Sequence, residues 1–152
     1  METIEKSVEV LNDLIEINND RIAGFGHAIK ELEGNDGDLM AIFETYSQES
    51  RQNVHELSRA VDQLGTDADV DATSSSGAIH RAWLDVKATF SGHDRKSILE
   101  ECERGEDAIK KAYKSALTEG NLPGDLTQLI MKQQQCIMAA HDRIKAMRDS
   151  EA

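Results

Sequence analysis

Five histidines, two cysteines and 29 acidic residues are the side chains of this chain that could do chemistry. Helical proteins that hold two metal ions take a Glu from each of two helices and a Glu-x-x-His from each of the other two. The three-residue step keeps a carboxylate and an imidazole on one helix face, and about four to six such ligands balance the charge of the ions. Nowhere in the 152 residues is an Asp or Glu followed three residues later by His, and no His-x-x-x-His occurs. Phosphate-cradling glycine loops, nucleophile-elbow motifs and Cys-x-x-Cys pairs are missing as well. Chemistry here would rest on isolated residues, so their value depends on the elements that position them.

Those elements are helices. Ile4, Val8, Leu11, Ile15, Asn18, Ile22, Phe25, Ile29 and Leu32 step by fours and threes, which predicts a helix over 3–33. The rhythm resumes through Leu39, Phe43, Tyr46, Ser50, Asn53, Leu57, Ala60 and Leu64, a second helix over 38–64. Residues 65–93 read as a long crossover that contains a short helix over 78–90, with Trp83 anchoring it. Asp94 is placed to cap a third helix over 94–118, with Ile98, Cys102, Gly105, Ile109, Ala112 and Ala116 on its stripe. A fourth, over 125–149, carries Leu126, Ile130, Gln133, Ile137, Ala140, Ile144 and Met147, and Asp125 with Gln128 has capping-box spacing. At an offset of 87 residues the stripes of the first two helices fall on those of the last two (Ile22 on Ile109, Phe43 on Ile130), so the chain reads as two like hairpins. Two hairpins joined by one long crossover make an all-α, ferritin-like four-helix bundle in a single domain over 1–152.

Each stripe turns polar near its middle. Asn18, Asn19, Glu49, Ser50, Asn53, Glu106 and Gln133 are expected to form a polar layer there, with His141 further along the last helix. Buried amides, hydroxyls and a carboxylate can satisfy one another and set helix register, as a core Asn does in coiled coils. Glu106 is the critical member, since a buried carboxylate needs an Arg, hydrogen bonds or its own proton; Arg21, Arg51, Arg104 and Arg143 are the cations within reach along their helices. If a metal were held, its ligands would be Glu49, Glu106 and His141, too few for a well-ligated redox pair. Cys102 and Cys136 read as small buried hydrophobes, His27 and His55 as surface residues, and Glu100 with Arg104 as an i,i+4 pair.

A formal charge of −12 would repel nucleic acid and anionic lipid, so neither is an expected partner. Apolar runs such as Leu39 to Phe43 are far too short to span a bilayer, and the opening METIEKS has no leader-like apolar segment, so a cytoplasmic protein is expected. Two cysteines in helical contexts suit a reducing compartment.

Three stretches resemble a bacterial domain-of-unknown-function family: Leu11-Asn12-Asp13-Leu14-Ile15-Glu16 with Asn19-Asp20-Arg21, Ser76-Gly77-Ala78-Ile79-His80-Arg81-Ala82-Trp83, and Glu100-Glu101-Cys102-Glu103-Arg104-Gly105-Glu106-Asp107. Ala140-His141-Asp142-Arg143 extends the match. The resemblance implies a small four-helix bundle of the ferritin-like superfamily associated with bacterial stress responses, and it carries over no catalytic residue. Ferritin chemistry does not follow from the fold, because the Glu-x-x-His ligands are missing.

The expectation is therefore a non-enzymatic cytoplasmic bundle without a cofactor, acting through an unknown protein partner or as a homo-oligomer. The alternative is a metal-binding protein with the reduced set Glu49, Glu106 and His141. A basic partner docking on the acidic surface is a third reading, distinguished by its sensitivity to salt.

Overall fold

A computed structural model describes residues 2–32, 36–65, 95–119 and 122–151. Four helices account for nearly all of them: α1 (Glu2–Glu31), α2 (Gly37–Gln63), α3 (Arg95–Glu119) and α4 (Gly124–Ser150). The expected crossover beyond Gly65, its short helix with Trp83, and the Asp94 cap lie outside the described residues, as do His80 and His93.

The helix ends follow from local chemistry. α2 stops where Gly65 takes a left-handed φ of 89°, and the Leu64 and Gly65 amides turn back to Ala60, Val61 and Asp62 carbonyls. Glycine adopts that backbone without the steric cost a Cβ brings. α4 begins one residue after Pro123, whose carbonyl accepts the Thr127 amide at 2.9 Å and the Thr127 hydroxyl at 3.1 Å. The capping box expected of Asp125 and Gln128 is therefore replaced: Pro123 occupies the cap position, no side chain caps the helix, and Asp125 falls in the first turn. A carboxylate there still suits the positive end of the helix dipole.

α1 packs on α2 and α3, and α4 packs on α3 and α2. Contacts fix the directions. Arg21 and Asn18 of α1 meet Glu106 and Tyr113 of α3 in reverse order, and Ser50 and Asn53 of α2 in reverse order too. α1 is thus antiparallel to both, which leaves α2 and α3 parallel, the sense that a two-hairpin bundle with one crossover requires.

The interior comes in two apolar blocks. Phe25, Leu32, Leu39, Phe43, Ile98, Leu99 and Ile144 build one; Leu11, Ile15, Leu57, Ile109, Ile130 and Ile137 build the other. Aromatic rings mark the inner edge of the first block, with Phe25 5.3 Å from Phe43 and 5.7 Å from Tyr46 between centroids. Two residues depart from the expected stripes. Ile4, in the first turns of α1, is exposed. Cys136 is exposed as well, because Gln133, Ile137 and Ala140 face inward and the residue preceding Ile137 is turned roughly 100° away.

Candidate functional site

Between the apolar blocks lies a polar layer that all four helices enter. Its centre is Arg21 of α1, fully buried, which donates from Nε to Oε1 of Glu106 at 2.7 Å and from Nη2 to Oε2 at 3.0 Å. Glu106 is equally buried, so the pair is a bidentate fork between two desolvated ions. The remaining guanidinium nitrogen donates to Ser50 Oγ at 3.0 Å and the Tyr46 carbonyl at 3.3 Å, and lies 3.7 Å from Glu49 Oε1. Phe25 and Tyr46 present their rings to the same guanidinium, 5.4 and 5.6 Å from their centroids. Burial opposes the charge on Arg21, but Glu106 and Glu49 outweigh it and hold the guanidinium above its ordinary value. For half-buried Glu49, desolvation raises the carboxyl and Arg21 only partly offsets it.

Neutral side chains continue the layer. Ser50 donates to Asn18 Oδ1 at 2.9 Å, and Asn53 donates to the same oxygen at 3.1 Å. Asn18 in turn donates to the Leu14 carbonyl and to the Tyr113 hydroxyl, each at 2.8 Å. The Tyr113 hydroxyl donates a hydrogen bond to Gln133 Oε1 at 2.7 Å, and Gln133 donates to Glu56 Oε1 at 3.1 Å. One chain of hydrogen bonds thus runs from Glu106 through Arg21, Ser50, Asn18 and Tyr113 to Gln133. Burial pushes the Tyr113 phenol well above its ordinary value, so it remains a neutral donor.

The residues expected at the centre divide between two places. Asn18, Ser50, Asn53, Glu106 and Gln133 share the network, Glu49 borders it, and Asn19 is only partly buried. His141 stands apart from Glu49 and Glu106: its Nε2 is 2.6 Å from Asp107 Oδ1 and 3.9 Å from Glu103 Oε1, and its Nδ1 is hydrogen-bonded to Asp142 at 3.1 Å. Of the four candidate arginines, Arg21 takes the central place, while Arg51 and Arg143 are exposed. Arg104 pairs with Glu101 at 3.1 Å, one turn position short of the expected Glu100. His27 is half-buried beside Glu31 at 3.7 Å and His55 is exposed.

Tyr113 as a link in the layer, and Glu103 and Asp107 as neighbours of His141, were not among the residues expected at the site, although Tyr113 lies beside the α3 stripe. The signal for the latter pair was their four-residue spacing, which puts them on one face of α3. Cys102 is fully buried, and desolvation with Glu106 and Glu101 nearby pushes its thiol far up, away from nucleophilic use.

Among the described residues, no helix is long and apolar enough to cross a membrane. A search of curated proteins finds no match. The fold is similar to that of a mutant of Mycobacterium smegmatis Dps1, with a TM-score of 0.80, 10% identity, and 97% of each chain covered. Identity that low speaks for the fold alone, which is a ferritin-like four-helix bundle. A family model described as a domain of unknown function, DUF2383, matches residues 6–119, and the chain therefore belongs to that family.

Proposed function

We propose that this bundle is non-enzymatic and acts through its surface, by self-association or by binding a protein partner, in the bacterial cytoplasm and in the context of stress. The observation that carries the reading is the Arg21–Glu106 fork: a fixed cation lies between the carboxylates that a central metal would need. A guanidinium saturated by Glu106, Ser50 and a main-chain carbonyl has the chemistry of a register-setting core, and an ion placed against it would meet like charge. Support for surface action comes from α4, where Met131 and Met138 are 46% and 42% exposed, seven residues apart on one side of the helix.

The test is sedimentation velocity on the wild-type chain and on the Met131→Glu, Met138→Glu double variant at tens of micromolar. The expected result is an oligomer that the double variant converts to a smaller species with unchanged helical circular dichroism. A monomeric wild type that also captures no partner through this face would defeat the proposal. So would stoichiometric Fe(II) binding abolished by Glu106→Gln, which would return the centre to metal chemistry with Glu49 and Glu106 as ligands.

A further inference from the structure

Between α3 and α4, Glu103 and Asp107 of α3 and His141 of α4 each offer a ligand atom, all three atoms lying within 4.8 Å of one another. His141 is only 6% exposed, yet its Nε2 has no hydrogen-bond partner. The 2.6 Å approach of Asp107 Oδ1 to that nitrogen is out of line for an N–H donor. Nδ1 is hydrogen-bonded to Asp142 Oδ1 at 3.1 Å, which leaves Nε2 as the ring nitrogen available to an ion. Ligands that share an ion with bonds of about 2.1 Å sit roughly 3 Å apart, and Nε2 lies 2.6 Å from Asp107 and 3.9 Å from Glu103.

One further residue prepares the place. Arg148 is bonded to Glu103 through Oε2, which leaves Oε1 free on the His141 side. Asp107 is 51% exposed, so water can complete the coordination. Glu103, Asp107, Asp142 and Asp149 outnumber Arg148, an excess of negative charge that suits a cation. At the 87-residue offset the first hairpin repeats the acidic pair as Glu16 and Asp20 but has Val54 where His141 stands, so the imidazole is particular to the second hairpin.

We propose that Glu103, Asp107 and His141 bind one divalent transition-metal ion, with Asp142 orienting the imidazole. One nitrogen and two carboxylates suit Zn2+ or Mn2+ better than Ca2+ or Mg2+, which favour oxygen alone. The ion would clip α3 to α4 on the surface, independent of the central Arg21 layer and of self-association.

Calorimetric titration of the chelator-treated full chain with ZnCl2 tests this. The expected result is one site per chain with micromolar affinity, weakened at least 10-fold by Asp107→Asn and about 10-fold by Asp142→Asn. Glu106→Gln and Cys136→Ser should leave it unchanged. Asp107 lies at the surface, so its variant keeps the fold, which circular dichroism verifies; histidine NMR should show the His141 Nε2 signal, rather than Nδ1, shifting on Zn2+ addition. No Zn2+ binding, affinity that survives Asp107→Asn, or binding lost with Cys136→Ser would each overturn the site.

Discussion

Arg21 carries the largest local stake in the molecule. A fully desolvated guanidinium is tolerated because Glu106 returns two charge-assisted hydrogen bonds while Ser50 and the Tyr46 carbonyl take up another nitrogen. Removing one partner strands the other, so Arg21→Met or Glu106→Leu alone should destabilise the protein by about 3–5 kcal/mol. Because a buried ion pair contributes little beyond a well-packed apolar pair, the combined Arg21→Met, Glu106→Leu variant should recover most of that loss. Urea denaturation of the four species forms the cycle. Losses that simply add would show that the two side chains are not coupled.

Arg95, the first residue of α3, ties together the ends of three helices. It reaches Asp36 at 3.1 Å, Asp38 at 2.7 Å in the first turn of α2, and Glu151 at 2.5 Å just past α4. Hydrogen bonding to Arg95 is the main reason Asp38 falls from its ordinary 3.8 to about 2, with desolvation the next-largest influence and opposing it. A carboxyl depressed by folding stabilises the fold where it is ionised in both states and ceases to do so as it takes up its proton. The stability difference between wild type and Arg95→Gln should therefore be constant above about pH 4 and shrink as the pH falls toward about 2. Asp38 is solvent-exposed and the other groups are partly so, and added salt should therefore shrink it too. Urea midpoints measured across that range check both trends; a difference that grows in acid would assign the helix-end contacts to something other than these ion pairs.

At the level of the whole molecule, a charge of −12 opposes the association of identical copies. If the exposed methionines of α4 drive self-association, screening should help it, and raising NaCl from about 50 to about 500 mM should increase the oligomer fraction seen by light scattering. Dissociation on adding salt would point instead to contacts made by the acidic surface, the behaviour expected of a basic partner. The family match ends at residue 119, before α4, whereas the fold match spans 97% of the chain. α4 is thus where this protein carries both its exposed methionines and His141.

Helical periodicity is a property of a single segment, and for that reason the four helices, their inward faces and the polar positions Asn18, Ser50, Asn53, Glu106 and Gln133 were legible in the order of residues alone. The parallel sense of α2 and α3 was legible from the length of the connector over 65–93, long enough to cross the bundle, and the likeness of the two hairpins from the 87-residue repeat. What partners Glu106 was not. Four arginines satisfied the sequence equally well, and only the rotation and pairing of α1 against α3 brought Arg21 to a carboxylate 85 positions away. The same holds for Cys136, placed on a stripe by spacing but turned outward by the packing of Ile137. It holds for His141 too, which packing directs to Glu103 and Asp107 rather than to Glu106. Burial pattern is encoded within each helix, whereas the identity of a polar partner depends on how separate helices meet, and that is settled only when the chain is folded.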